Sequence, residues 1–121
     1  MKELPKSTKV VVIGGGVAGT SCAYHLAKFG WKDVVLLERD LLTSGTTWHA
    51  AGLLGQLGAS STITKIRKYS LDLYKDLEKT TGLSTGMKQN GAITVASTKE
   101  RMQELLRQAT TAQLSDVEVE V

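Results

Sequence analysis

The chain has 121 residues, 41% hydrophobic and 22% charged, with a formal net charge of +3. This length suffices for one domain with a single core. Basic residues are interspersed with acids rather than gathered in a stripe, which argues against nucleic-acid binding. No apolar run is long enough to span a membrane. The single cysteine, Cys22, excludes an intrachain disulfide and a thiol-based metal cluster, and we expect no metal site.

Two short strands around one helix are predicted at the start. Residues 9–13 form a β-branched run ended by glycines, which is typical of a fully buried strand. A helix over residues 18–29 follows, closed by Gly30 in a left-handed conformation. Residues 34–37 are a second buried strand, and the crossover requires parallel pairing. The helix has an inner stripe of small apolar residues: Gly19, Cys22, Ala23, Leu26 and Ala27.

The middle of the chain combines an irregular segment with a second helix. Residues 39–61 are rich in glycine and threonine and show no periodicity, which in a segment of this length usually indicates function or disorder. A helix is predicted from about 62 to 79 and ends at Gly82. Its apolar residues at helical spacing are interpreted as a core face: Ile63, Ile66, Tyr69, Leu73 and Leu77.

The last third predicts three further elements. Residues 87–97 resemble a hairpin with Asn90-Gly91 as the turn. Ser97, followed three residues later by Glu100, suggests a capping box for a third helix from 99 to about 114. Alternating valines at 117, 119 and 121 predict a half-buried strand.

A glycine motif lies between the first strand and the first helix. It matches G-x-G-x-x-G, in which Gly14 permits a tight turn, Gly16 permits close approach of a pyrophosphate, and Gly19 permits close packing of helix and strand. The start of the helix, at Val17 and Ala18, supplies unpaired N–H groups and a partial positive charge. The motif predicts a dinucleotide site.

Glu38 ends the second strand, 24 positions after Gly14. This offset is close to that of the acid that binds ribose hydroxyls. A carboxylate there repels a 2′-phosphate and disfavours NADP, although Arg39 next to it leaves some room for that cofactor. The alternative is a glycine-rich turn beside a solvated Glu-Arg pair. The βαβ unit alone does not separate FAD from NAD.

Residues 42–53, Leu-Thr-Ser-Gly-Thr-Thr-Trp-His-Ala-Ala-Gly-Leu, separate the two. With the glycine motif, they resemble the sarcosine and dimethylglycine dehydrogenases, amine-oxidising flavoproteins of the D-amino-acid oxidase superfamily. The resemblance covers residue 9 to about residue 114. It implies an α/β fold with a Rossmann-like FAD-binding start, in which a hairpin and helix lead into a substrate domain that is incomplete here. The expected parts are about 1–60 for the βαβ unit and cofactor loop, 61–85 for a helix, and 86–121 for the entry to the substrate region.

In that family the histidine of the Trp-His pair is bonded to the 8α-methyl group of the flavin, which corresponds to His49. The resemblance implies that neighbouring residues offer hydroxyls and N–H groups to the phosphate and ribose: Ser44, Gly45, Thr46 and Thr47. The alternative for His49 is a loop histidine that only packs or hydrogen-bonds. We expect His25 to be a surface residue and Cys22 to pack against the sheet.

The implied activity is oxidation of an N-methyl amine such as sarcosine or dimethylglycine by covalently bound FAD. Water or tetrahydrofolate would take the one-carbon unit, and electron-transfer flavoprotein or oxygen would take the electrons. Family enzymes are several times longer, so we expect a fragment, and no catalytic residue is assignable within it.

Three other functions remain open. A regulatory protein of similar fold, such as the regulatory subunit of pyruvate dehydrogenase phosphatase, has no need of the Trp-His pair. Another FAD-dependent amino-acid oxidoreductase is a further alternative. An NAD-binding module is disfavoured by the long segment after Glu38. The lack of a presequence and of disulfides favours the cytoplasm, with the mitochondrial matrix as the alternative if a presequence is removed.

Overall fold

A computed structural model describes residues 5–121 and divides the chain into two units, Met1–Leu53 and Leu54–Val121. Residues 1–4, at the start of the predicted first part, lie outside the described residues. The first unit holds strand β1 (Val10–Ile13), helix α1 (Val17–Lys28) and strand β2 (Val34–Leu37). The second unit holds helices α2 (Ser61–Thr81) and α3 (Lys99–Gln113).

The first unit confirms the predicted βαβ unit and the α/β class. β1 and β2 pair in parallel, with Val10 opposite Val34 and Ile13 opposite Leu37. The connection through α1 allows this parallel pairing, because a short turn could join only antiparallel strands. After α1, Gly30 has φ +88°, the left-handed conformation predicted for it.

The expectation of fully buried strands is wrong. Half-buried and exposed residues alternate along β1, and Ile13 is 86% exposed. The reason is that α1 is the helix of the first unit and covers one face of its two strands. A parallel strand is buried on both sides only when both faces of its sheet are covered. Cys22 of α1 is also exposed rather than packed against the sheet.

α2 confirms the second predicted helix and extends it by a residue or two at each end. It begins after Ser60, whose hydroxyl accepts a hydrogen bond from the Ile63 N–H (3.3 Å). It ends at Gly82, whose φ of +68° is left-handed and whose N–H donates to the Glu78 carbonyl. Both ends are therefore set by local residues.

The predicted core face of α2 is wrong. Of its five residues, three are exposed and two are half-buried: Ile63, Ile66 and Tyr69, and then Leu73 and Leu77. The buried residues are Thr64, at 2% exposure, and Leu71. Thr64 and Leu71 are seven positions apart and lie on one side of the helix. The segment before the helix folds over that side, since the Gly58 N–H donates to Thr64 Oγ1 (3.0 Å). This contact between the segment and the helix selects the buried side.

The last third differs from prediction in three places. No residue from 83 to 96 is in a strand, and Ile93 is 94% exposed, so the predicted hairpin is wrong. An isolated hairpin is marginal without a layer to cover it. α3 is confirmed, but Thr98 rather than Ser97 caps it by accepting from the Arg101 N–H (3.2 Å). Residues 117–121 form no strand, and a turn from Ala112 precedes them.

Within residues 5–121, no helix is long and apolar enough to cross a membrane. The same residues contain no group of three or more His, Cys, Asp or Glu side chains that could hold a metal ion. His25 is half-buried rather than fully exposed, because its Nδ1 lies 2.7 Å from the Ser21 carbonyl and its ring contacts Tyr24 edge-on.

Candidate nucleotide-binding site

The turn between β1 and α1, residues 14–19, forms the phosphate loop. Gly14 has φ +102°, and its N–H donates to the Leu37 carbonyl (2.8 Å), which joins the turn to the end of β2. A Cβ on Gly19 would lie 1.8 Å from the Gly14 carbonyl oxygen. Gly14 therefore supplies a conformation that other residues rarely adopt, and Gly19 supplies the space in which the helix approaches the turn.

Glu38 contacts the phosphate loop directly. Its Oε2 accepts a hydrogen bond from the Gly15 N–H (2.6 Å), and its Oε1 accepts from the Asp40 N–H (3.1 Å). The Gly15 donor first, and the Asp40 donor second, hold the pKa of the Glu38 carboxyl below its usual value. The neighbouring Arg39 lowers this pKa to a lesser extent.

From the sequence, Glu38 is predicted to bind ribose hydroxyls, and its hydrogen bond with the Gly15 N–H is not predicted. The strand register contained a usable signal. Ile13 lies opposite Leu37, so the residues that follow each strand, Gly14-Gly15 and Glu38, must leave the sheet side by side. A carboxylate at that position meets the first N–H groups of the loop.

Thr47 meets the start of α1. Its Oγ1 accepts a hydrogen bond from the Val17 N–H (2.9 Å). Gly16 occupies the N-cap position, where it offers no side-chain acceptor, and the first turn of α1 contains no acidic residue. The Thr47 hydroxyl therefore satisfies one of the N–H groups that a helix start leaves without an intrahelical partner.

The part of the predicted irregular segment that leads up to His49 is folded into successive turns. We call residues 43–50 the histidine segment. Thr43 has φ +68°, and its N–H donates to the Gly15 carbonyl (3.0 Å). The Trp48 N–H donates to the Thr43 carbonyl (3.1 Å), and the His49 N–H donates to the Thr46 carbonyl (3.2 Å). These bonds hold the beginning of the segment on the phosphate loop and connect it through successive turns to His49.

His49 is exposed, and its Nδ1 lies 3.0 Å from the Gly45 carbonyl oxygen. Since a carbonyl only accepts, this hydrogen bond requires Nδ1 to carry the proton. In the neutral ring the lone pair is then on Nε2. The adjacent Trp48 is 78% exposed.

The predicted site residues fall into two groups. Gly16, Val17, Glu38 and Thr47 are linked, through contacts that also include Gly15, within the first unit. Ser44, Gly45 and Thr46 belong to the turns of the histidine segment, where their backbone groups hydrogen-bond. Gly15 is the residue that sequence reasoning missed.

The sequence pattern of the family described as FAD dependent oxidoreductase matches residues 9–121. The chain belongs to this family. The match begins one residue before β1 and includes the phosphate loop, Glu38 and the histidine segment. The resemblance predicted from residues 42–53 is thereby confirmed at the level of the family.

Three relatives of different function share the same part of the chain. Human mitochondrial sarcosine dehydrogenase is 48% identical over 107 residues, which is 88% of this chain and 12% of the relative. Rat mitochondrial dimethylglycine dehydrogenase is 49% identical over 108 residues, 89% of this chain and 13% of the relative. The mouse mitochondrial pyruvate dehydrogenase phosphatase regulatory subunit is 46% identical over 104 residues, 86% of this chain and 12% of the relative.

The chain thus spans about an eighth of the length of these relatives. The family assignment applies to the chain itself, whereas substrates and partners are properties of whole proteins. Identity is nearly equal for two enzymes and one regulatory subunit, so identity alone does not choose between them.

Proposed function

We propose that the chain is the amino-terminal, FAD-binding part of an oxidoreductase that oxidises N-methyl amines, with the flavin linked to His49. The observation that supports it most is the phosphate loop joined to Glu38 and to the histidine segment, in a chain of the FAD dependent oxidoreductase family. The proposed parts are about 1–60 for the βαβ unit and cofactor loop, 61–85 for the helix, and 86–121 for the entry to the substrate region.

The residues of the phosphate loop fit the diphosphate of FAD. Cβ atoms are absent at Gly14, Gly16 and Gly19, so a large anion can approach the backbone of the loop closely. The start of α1, at Val17 and Ala18, adds N–H donors and the positive end of the helix dipole. In this proposal these five residues bind the diphosphate.

The Glu38 carboxylate fits the ribose of the adenosine. Its lowered pKa keeps it ionised at neutral pH. Each carboxylate oxygen already accepts one N–H and has a second lone pair, so ribose hydroxyls can donate to the remaining positions. Arg39 lies beside it, and the negative charge of Glu38 itself opposes a 2′-phosphate.

The hydrogen bond between His49 Nδ1 and the Gly45 carbonyl supports attachment through Nε2. In this proposal Nε2 would supply the electron pair for a bond to the flavin 8α carbon. A C–H bond of that methyl group would break, its proton would leave to solvent, and dioxygen would be the final acceptor of the two electrons. A neutral imidazole is the nucleophilic form of histidine.

FAD when bound supplies the acceptor for a hydride from the N-methyl carbon of the amine. The names of two relatives, sarcosine dehydrogenase and dimethylglycine dehydrogenase, support N-methyl amino acids as substrates. Tetrahydrofolate as the one-carbon acceptor, and electron-transfer flavoprotein or oxygen as the electron acceptor, belong to the proposal for the whole protein. No catalytic residue is proposed within this chain.

The same names bear on localisation. All three relatives described above are mitochondrial proteins. We therefore favour the mitochondrial matrix over the cytoplasm for a protein that contains this chain.

A regulatory subunit without catalysis is the second candidate, because the mouse regulatory subunit is nearly as similar to this chain as the dehydrogenases are. The two proposals differ at His49, since a protein without redox function needs no covalent flavin. His49 therefore provides the test.

The test is an absorbance spectrum of acid-precipitated intact protein. Yellow flavin that stays with the pellet supports the enzyme, flavin in the supernatant contradicts the covalent link, and protein purified without flavin favours the regulatory subunit. His49→Ala should release the flavin into the supernatant on precipitation. His25→Ala is the matched control, because it removes the other histidine of the chain and should leave the flavin in the pellet.

A further inference from the structure

We propose that Thr47 is a positioning residue whose hydroxyl holds the histidine segment against the first turn of α1, so that His49 is in place for flavin attachment. This inference rests on the proposed function, because it concerns the residue to which the flavin is attached. It assigns to Thr47 an action through the protein backbone rather than through the cofactor.

The first step is the contact with α1. Val17 provides the first N–H group of the helix, and it donates to Thr47 Oγ1 at 2.9 Å. In many helices a side-chain acceptor for the first turn comes from the N-cap residue, which bonds the second or third N–H group. Here Gly16 has no side chain, and the acceptor comes from Thr47, thirty positions after Val17. The capping bond is therefore also a tertiary contact.

The second step is the space that Gly16 provides. A Cβ built on Gly16 would lie 2.9 Å from Thr47 Oγ1, closer than real Cβ atoms approach another heavy atom. The absence of a side chain at Gly16 thus makes room for the Thr47 hydroxyl. Gly16 has this second use in addition to the one that the glycine motif predicts for it.

The third step leads from Thr47 to His49. The Ala50 N–H donates to the Thr47 carbonyl (3.2 Å), so His49 lies inside a turn that begins at Thr47. The imidazole itself is held by the Gly45 carbonyl, two residues before Thr47. Thr47 therefore lies between Gly45, whose carbonyl holds the ring, and His49, which carries the ring. Fixing the position of Thr47 restricts the backbone that connects these two residues.

A second anchor limits the size of the effect. The Thr43 N–H donates to the Gly15 carbonyl (3.0 Å) and keeps the beginning of the histidine segment on the phosphate loop. Loss of the Thr47 hydroxyl should therefore loosen the segment without detaching it. One neutral hydrogen bond contributes about 1 kcal/mol, which corresponds to a change of roughly five-fold.

The test compares three variants of the intact protein. Thr47→Val removes the hydroxyl with little change in shape, and Thr47→Ser retains it. Thr80→Val makes the same exchange on α2, where the hydroxyl only donates to the Asp76 carbonyl of its own helix. Three quantities are measured: deuterium exchange over residues 15–20 and 43–50, ADP affinity, and the rate at which apoprotein mixed with FAD gains acid-stable flavin.

We expect Thr47→Val to exchange roughly five-fold faster in both segments and to gain acid-stable flavin roughly five-fold more slowly. Its ADP affinity should stay within about twofold of the wild-type value, because in this inference the Thr47 hydroxyl contacts the helix start and not the nucleotide. Thr47→Ser and Thr80→Val should resemble the wild type in all three measurements.

Three results would overturn the inference. Unchanged exchange in Thr47→Val would mean that the hydroxyl does not hold the segment. An equal loss of ADP affinity and attachment rate would mean that Thr47 contacts the nucleotide directly. If wild-type protein never gains acid-stable flavin, the proposed covalent link is wrong. Faster exchange in Thr47→Val would then show that the hydroxyl holds the segment, but not for flavin attachment, which also overturns the inference as stated.

Discussion

Gly19→Ala should both destabilise the first unit and weaken nucleotide binding. The added Cβ would lie 1.8 Å from the Gly14 carbonyl oxygen and 3.0 Å from the Gly14 carbonyl carbon, where ordinary contact begins at 3.4 Å. Both neighbours are backbone atoms, so no side chain can rotate away. Relief requires α1 to move away from the phosphate loop, which separates the N–H groups of the helix start from those of the turn.

The cost should reach or exceed the upper end of the usual range for overpacking, about 3 kcal/mol. For a protein domain of this size, that corresponds to a fall in Tm of about 10 °C. Thermal unfolding followed by circular dichroism measures the first effect, and calorimetric titration with ADP measures the second. We expect ADP binding to fall by at least about tenfold, because the proposed diphosphate site includes both sides of the loop.

Gly55→Ala is the matched control. Gly55 has no heavy atom within 4 Å of its Cβ position, and its φ is not in the left-handed region, so alanine fits without strain. Its Tm should stay within about 2 °C of the wild-type value or rise slightly, because alanine restricts the unfolded chain. A Gly19→Ala protein that melts and binds ADP like Gly55→Ala would refute the close approach on which this reasoning depends.

Two further predictions concern a carboxylate and a buried hydroxyl. Glu38→Gln should lower ADP affinity and Tm at pH 7. Because folding lowers the pKa of Glu38, the stabilisation by this carboxylate is complete above the ordinary pKa of 4.5 and is lost as pH falls through the folded-state pKa. The Tm difference between Glu38→Gln and wild type should therefore shrink below about pH 4. A Tm difference that is constant from pH 7 to pH 3 would contradict this assignment. Thr64→Val should reduce the free energy of unfolding by about 1 kcal/mol, because the half-buried Gly58 N–H loses its acceptor, whereas Thr64→Ser retains it. Urea unfolding measures the free energy of unfolding of both Thr64 variants. Equal stability of the valine and serine variants would show that this hydrogen bond contributes little.

The βαβ unit could be predicted because its signals are local. The apolar runs before Gly14 and Glu38 define two strands, and Gly30 and Gly82 mark helix ends by conformations that glycine adopts at little cost. The crossover connection then fixes parallel pairing. None of these inferences requires knowledge of which distant residues meet.

The elements that failed depend on such distant contacts. The side of α2 that is buried is selected by Gly58 and the segment around it, not by the stripe that contains Ile63 and Ile66. The choice of Thr98 over Ser97 as the cap of α3 is a shift of one residue, which either sequence pattern permits. Alternating valines near the end of the chain predict a strand only where a neighbouring strand is present.

The candidate site divides in the same way. Its glycines and Glu38 follow from spacing, and His49 follows from the family resemblance. The contact of Thr47 with Val17 could not be predicted. Ser44, Thr46 and Thr47 all carry a hydroxyl in one short segment, and the sequence does not show which of them reaches α1. Thr47 reaches α1 because the chain turns at Thr43 with a positive φ, a conformation rarely adopted by a β-branched residue and hence not predicted for one.

Peptide mapping of the flavin tests the central claim most directly. Trypsin cleaves after Arg39 and Lys65, and the peptide between them, residues 40–65, contains His49 as its one histidine. Mass spectrometry of a digest of the intact protein should find this peptide carrying the mass of the flavin, with the modification located on His49. An unmodified peptide in protein that retains its flavin, or a flavin located on any other residue, would contradict the account.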